Sequence, residues 1–196
     1  MPAALGILGG TFDPPHLGHV AAATAAWKQL GLDQLRVIPA GQAPLRNAAP
    51  VAPATERMAM CRLAFAECQW AVVDDREIRR EGVSWSIETA RELAREFPSA
   101  WRVWVLGADQ LARLDRWKDI SELCGLVDFA VLSRDGISTV PPPALAGCIR
   151  LTILRAPPVN VSSTALRQAK CRGDSARNGL PISVARHIEE RNLYPS

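Results

Sequence analysis

The sequence has 196 residues, 48% of them apolar and 22% charged, enough for one domain with a sizeable core and too apolar for a chain that is mostly disordered. Lys and Arg number 23 against 20 Asp and Glu, and the formal charge of +3 suits anionic small molecules without arguing for nucleic acid. No stretch approaches the ~18 uninterrupted apolar residues that a membrane span needs.

Ala4 to Leu8 is an apolar run ending at Gly9-Gly10 and predicts a buried first strand. Leu17 to Leu30 is Ala-rich and predicts a helix stopped by Gly31. Leu35 to Ile38 reads as a second strand closed by Pro39, and Ala40 to Pro53, with Gly41, Pro44, Pro50 and Pro53, as a long loop able to serve as a lid. A helix over Thr55 to Cys68 and a strand over Trp70 to Val73 follow, then a connector from Asp74 to Glu81 whose mixed charges suggest a solvated surface. Ile87, Ala90, Leu93, Ala94 and Phe97 share one helical face, with Ser84 or Ser86 as N-cap and Pro98 beyond the end. Trp101 to Leu106 predicts a strand that delivers Gly107-Ala108-Asp109 at its end. Leu126 to Leu132 and Ile149 to Leu154 predict two more strands, with an irregular Pro141-Pro142-Pro143 connection between them, and helices are expected near Ser163 to Lys170 and Val184 to Arg191. Strands alternating with helices along residues 1–196 predict a single α/β domain: a mostly parallel, Rossmann-like sheet flanked by helices.

Met1 to Gly10 lacks the basic start and cleavage site of a secretory leader. The five cysteines are scattered and form no Cys-x-x-Cys pair, so neither a disulfide framework nor a zinc cluster is indicated, and a reduced, cytoplasmic protein is expected. Cys61 and Cys68, seven apart on a predicted helix, read as buried rather than reactive, and Trp27, Trp70, Trp101 and Trp104 as residues in or around the core.

The segment from Gly9 to His19, Gly-Gly-Thr-Phe-Asp-Pro-Pro-His-Leu-Gly-His, joins the first strand to the first helix, where open α/β sheets bind ligands. Glycines there admit a phosphate close to the backbone, and the helix start supplies N–H groups and a positive dipole end. His16 and His19 are three residues apart and point the same way across Gly18. A lone Gly-Gly pair would be only a turn; the whole arrangement points to an anion site. It is not the Gly-x-Gly-x-x-Gly of a dinucleotide fold, and no carboxylate or thiol joins the histidines at a metal-ligand spacing. Asp13 is able either to meet a metal or to shape the turn. Late in the chain, Val161-Ser162-Ser163-Thr164-Ala165-Leu166-Arg167 opens a helix with three hydroxyls, and Arg167 lies about one turn from Ser163, a second oxyanion site.

Together the two motifs resemble the nucleotidylyltransferase superfamily, and in detail nicotinate mononucleotide adenylyltransferases. The likeness extends over nearly the whole chain, with Gly107-Ala108-Asp109, Leu114 to Trp117, Val131 to Gly136 and the Asn192-Leu193-Tyr194 end as supporting positions. The resemblance implies transfer of AMP from ATP to nicotinate mononucleotide, giving deamido-NAD and pyrophosphate in NAD biosynthesis, with Mg2+ held through the ATP phosphates. It implies that Gly9, Gly10, Thr11 and Phe12 cradle phosphates and that His16 and His19 contact the triphosphate. Gly107 and Asp109 fall on the nucleotide side, and Ser162, Ser163 and Arg167 on the β- and γ-phosphates. His16, His19 and Arg167 are the implied catalytic groups, and no protein-held metal is implied. On the acceptor side it implies Arg46, Trp85, Ser86, Trp117 (stacked on the pyridine), Lys118 and Arg134. Three positions depart from the family pattern. Ala43-Pro44-Leu45-Arg46 stands for Pro-Pro-His-Lys, Lys118 for an aromatic residue, and Trp85-Ser86 for Tyr-Thr. No nucleic-acid or membrane partner is expected, and self-association into a homo-oligomer is compatible with the reading. The rivals are phosphopantetheine adenylyltransferase, which has no evident use for the Trp117 region, and a non-catalytic nucleotide-binding module.

Overall fold

Parallel strands covered on both faces read as continuous apolar runs. That is the environment of β1 (Ala4–Gly10), in which Leu5, Ile7 and Leu8 are all buried. The computed structural model describes residues 1–44, 49–132, 138–157, 159–172, 174 and 176–195. Within them β2 (Gln34–Pro39), β3 (Ala71–Val73), β4 (Trp101–Gly107), β5 (Asp128–Leu132) and β6 (Leu151–Leu154) join β1 in one sheet ordered β3-β2-β1-β4-β5-β6. Every pairing is parallel. The order reverses between β1 and β4, and such a reversal opens a crevice at the carboxyl ends of the strands. Gly9 and Gly10 therefore end β1 beside Ile38 and Pro39, next to the β4 end at Gly107.

Among the described residues eight α-helices cover this sheet: α1 (Leu17–Leu30), α2 (Ala54–Ala64), α3 (Arg76–Arg79), α4 (Ser86–Glu96), α5 (Ala108–Leu111), α6 (Ile120–Leu126), α7 (Ser163–Cys171) and α8 (Ile182–Glu190). Gly31 ends α1 in the left-handed conformation, φ 61°, where glycine carries no Cβ penalty. Ile87, Ala90 and Leu93 of α4 and Leu123 of α6 pack with Trp104 and Phe129 on one face of the sheet. Ala23 and Ala26 of α1 and Cys61 of α2 pack with Leu35 and Val37 on the other. A third cluster joins Met60, Leu166, Val184, Ile188 and Tyr194, binding α2 to α7 and α8. No helix among the described residues is long and apolar enough to cross a membrane.

Several expectations are corrected. Asp74 to Glu81 is not a solvated connector: it contains α3, and Asp74 and Glu77 are buried. Its charges face partners, Asp74 taking Arg76 at 2.6 Å and Arg36 at 3.7 Å, while Arg76 also reaches Glu96 at 2.8 Å. Helix α2 stops at Ala64, with Phe65 leaving helical geometry, so Cys68 lies past it and, of that pair, Cys61 alone is buried. Neither Ser84 nor Ser86 caps α4: Trp85 holds the cap position, Ser86 is the first helical residue, and the Ser84 hydroxyl donates to Glu77 O. Leu126 closes α6, which periodicity over so short a segment did not reveal, and β5 begins at Asp128. Trp101 is 41% exposed, its indole N–H donating to Asp128. Trp104 is buried, and Trp27 and Trp70 stack with centroids 4.9 Å apart.

Candidate active site

The β1–α1 connection builds the floor of a cavity of about 490 Å³ at the carboxyl end of the sheet. A Cβ on Gly9 would sit 3.3 Å from Trp104, and one on Gly10 3.1 Å from the Phe12 ring, so side chains at either position would press on the aromatic groups beneath. Phe12 takes φ 50° and buries its ring to 1% exposure, leaving its backbone rather than its side chain to face the site. His16 precedes the first turn of α1 and His19 lies within it. Their rings stack at 3.7 Å and 26°. Gly18 makes this stack fit, since a Cβ there would come within 3.0 Å of the His16 ring. The His16 backbone N–H donates to His19 Nδ1 at 3.1 Å. A neutral His19 consequently carries its proton on Nε2 and remains a donor.

The second motif closes on the first. Ser162 caps α7 by accepting the Ala165 N–H, which leaves its own O–H to donate. The Ser163 hydroxyl donates to Pro14 O at 2.9 Å, and Arg167 Nη1 donates to Asp13 O at 2.6 Å. Both seal the seam between α7 and the glycine-rich turn, and Ser162, Ser163 and Arg167 all line the cavity. Asp13 is 2% exposed and its carboxylate is fully engaged: Oδ2 accepts from Val51 N–H, and Oδ1 from Ala52 N–H and the Tyr194 hydroxyl. Of the two roles read for it, the structure gives the shaping of the turn. Burial, followed by the hydrogen bond to Asp13, pushes the Tyr194 phenol well above its usual pKa. Among the described residues no group of three His, Cys, Asp or Glu is placed to hold a metal ion.

From β4, Gly107 brings Asp109 to the rim; a Cβ on Gly107 would lie 2.7 Å from the Asp109 carboxylate. Aromatic side chains line another part of the cavity. Trp117 meets Trp104 edge-on at 5.8 Å, and Lys118 holds Nζ 5.0 Å above the Trp85 ring at the start of α4. Thr11, Ser86, Trp85, Trp117 and Lys118 all line the same cavity as the histidines. Arg46 and Arg134 lie outside the described residues, as does part of the predicted lid. The lid's flanks are held: Ala40 N–H donates to Gly10 O, Gln42 bridges Val83, and Val51 and Ala52 bind Asp13.

Among the polar lining residues, Glu77, Gln110 and Arg113 escaped the sequence reading. Arg113 follows Asp109 by about one turn, a signal that was available; Glu77 gave none, hidden among alternating charges. Its carboxylate accepts the Thr89 hydroxyl at 2.7 Å, and burial raises its pKa against that bond. Gly41 packs so closely that a Cβ there would meet Glu77 O at 2.2 Å.

Residues 7–169 match the family described as cytidylyltransferase-like. A Methylibium petroleiphilum protein named "Probable nicotinate-nucleotide adenylyltransferase" is 41% identical, the alignment covering 97% of this chain and 92% of the relative. An Opitutus terrae protein of the same name is 39% identical, with 97% of each chain covered. The chain belongs to the nicotinate-nucleotide adenylyltransferase branch of that family. The fold agrees with that of Plasmodium falciparum nicotinic acid mononucleotide adenylyltransferase, solved as a complex with NaAD, at a TM-score of 0.80 and 15% identity over 97% of each chain. The same enzyme complexed with APC superposes at 0.81 and 14% identity, covering 98% of this chain and 97% of the other.

Proposed function

We propose that this chain transfers AMP from ATP to nicotinate mononucleotide, giving nicotinate adenine dinucleotide (deamido-NAD) and pyrophosphate. A phosphate oxygen of the acceptor attacks the α-phosphorus of ATP in line, and the bond to the bridging oxygen of the β-phosphate breaks as pyrophosphate leaves. The observation that carries the reading is the stacked His16–His19 pair at the α1 start, lining one cavity together with Trp85, Trp117 and Lys118. The first group suits a triphosphate, the second a flat ring with an anionic substituent.

His19, with its proton directed to Nε2, donates to a phosphate oxygen without first becoming charged, and His16 sits against it. Arg167 and the free O–H of Ser162 meet the β- and γ-phosphates, the α1 start adds its positive dipole end, and Asp109 lies on the nucleotide side. Fixed donors aimed at the departing pyrophosphate stabilise its developing charge without reorganising. No activated nucleophile accompanies the motif, so direct transfer without a covalent enzyme intermediate is the course proposed. Mg2+ enters on the ATP phosphates as part of that substrate. A cytoplasmic setting accords with the same reading, since scattered cysteines suit a reducing compartment.

Pyrophosphate release from ATP, measured with nicotinate mononucleotide and with phosphopantetheine as separate acceptors, tests the proposal. Release that depends on the pyridine nucleotide is expected. Release only with phosphopantetheine, or with neither, overturns it.

A further inference from the structure

We propose that Asp13 and Tyr194 form a positioning relay that sets the guanidinium of Arg167 for pyrophosphate; this rests on reading Arg167 as a phosphate contact. Arg167 is tied to Asp13 by a 2.6 Å hydrogen bond from Nη1 to the backbone carbonyl, and the same nitrogen lies 3.8 Å from Oδ2. Its remaining contact among the described residues is weak, Nη2 to Thr164 Oγ1 at 3.5 Å. The orientation of the guanidinium therefore depends on where Asp13 is held.

Asp13 is in turn held from three directions. Val51 N–H donates to Oδ2 at 2.8 Å, Ala52 N–H to Oδ1 at 3.0 Å, and the Tyr194 hydroxyl to Oδ1 at 2.7 Å. Tyr194 reaches this position from beyond α8, packed with Met60, Leu166 and Val184, and does not line the cavity. Its backbone takes φ 57°, which bulky residues rarely adopt, so its side chain is held in place at a conformational cost. Two buried groups, neither facing substrate, thus converge on the anchor of one that does. The charge on Asp13 also opposes that of Arg167, restricting the guanidinium to one edge while its other donors stay available to an anion.

Asp13→Asn alters the anchor directly and risks misfolding, so Tyr194→Phe is the working variant, removing one hydroxyl outside the cavity. The measurement is the inhibition constant of pyrophosphate against ATP, which does not depend on the fraction of active enzyme. It is taken in the parent and Arg167→Ala backgrounds, alongside KM for nicotinate mononucleotide. In the parent background Tyr194→Phe is expected to raise the pyrophosphate constant about three- to tenfold, the scale of one net hydrogen bond, with acceptor KM within about twofold. In the Arg167→Ala background the same substitution is expected to change it by less than about twofold, because a residue acting through Arg167 loses its effect when Arg167 is gone. An equal factor in both backgrounds, or no change in the parent, reduces Tyr194 to a structural anchor and overturns the relay. An unchanged constant in Arg167→Ala alone overturns the phosphate reading of Arg167, and the relay with it.

Discussion

At His19 a single backbone hydrogen bond decides which ring nitrogen carries the proton. Because Nδ1 accepts from the His16 N–H, a neutral ring carries its proton on Nε2, and under the proposed reading that N–H is the donor to the phosphate. His19→Ala removes that donor, and we expect adenylyl transfer to slow by ~100-fold or more while the fold is retained, the scale for loss of a preorganised transition-state donor. Single-turnover rates on a variant with a native melting curve check this; near-parental turnover would sink the assignment. Trp117 is a second residue whose environment sets its expected effect. Its edge-on contact with buried Trp104 fixes a ring that lines the cavity and, under the proposed activity, stacks on the acceptor; such a pair contributes about 0.5–1.5 kcal/mol beyond burial. Trp117→Ala should raise KM for nicotinate mononucleotide and nicotinamide mononucleotide alike, since stacking ignores the substituent, with a small fall in Tm. Altered selectivity without a general rise in KM would place the ring elsewhere. The two histidines were legible because residue type and spacing pointed to one face. The engagement of Asp13 was not, because Val51, Ala52 and Tyr194 lie 38, 39 and 181 positions away in sequence.

The short helix α3 shows how a charge-rich segment becomes interior. Burial on its own raises the pKa of Asp74, but the hydrogen bonds from Arg76, with the Arg76 and Arg36 charges, outweigh it and hold the carboxyl below its ordinary 3.8. The stability this group contributes is therefore present above that value and lost as pH falls through the lower folded value. Glu77, three residues on, behaves oppositely: burial dominates the Thr89 hydrogen bond and lifts it above its ordinary 4.5. Its contribution is present below 4.5 and lost as pH rises through the folded value. Asp74→Asn should accordingly cost most at neutral pH, about 1–3 kcal/mol for stranded partners, and less in acid. Glu77→Gln should cost most in acid and recover toward neutrality. Thermal melts of both variants across the acid range measure this, and parallel curves would refute the assignment of opposite signs. From sequence the segment looked solvated because the pattern of charges does not report which residues its partners on β2 and α4 bring near. Helix α1 was legible to the residue because an Ala-rich run from Leu17 is stopped by Gly31, which takes the left-handed cap conformation. Helix α6 was not, being only seven residues with Gly125 inside it.

Across the whole molecule, function depends on one reversal in strand order, which sets the ends of β1 and β4 side by side. The alternation of strands and helices made the parallel sheet legible, and the glycine-rich turn marked where it opens. What no local pattern supplied was Glu77, which lines the same cavity as Trp85 and Trp117. Under the proposed activity, Trp85, Ser86, Trp117 and Lys118 are the residues that would select the pyridine nucleotide. Nicotinate presents a carboxylate where nicotinamide presents a neutral amide, so discrimination requires donors or positive potential at that end. The start of α4 offers its dipole and the Ser86 hydroxyl, and Lys118 is held over Trp85 beside it. Nearby carboxylates are offset: Asp119 pairs with Arg91 at 3.6 Å, Glu88 with Arg80 at 3.7 Å, and burial opposes the ionisation of Glu77. A buried carboxylate that keeps its donors gains about 1–3 kcal/mol over an isostere that leaves them unpaired, a ratio of roughly ten to more than a hundred. We therefore expect kcat/KM for nicotinate mononucleotide to exceed that for nicotinamide mononucleotide by at least about tenfold, and Lys118→Ala to narrow the gap by lowering the nicotinate value alone. Equal values for the two acceptors in the unmodified protein would remove the electrostatic argument, and an unchanged ratio in Lys118→Ala would leave the discrimination to the α4 start.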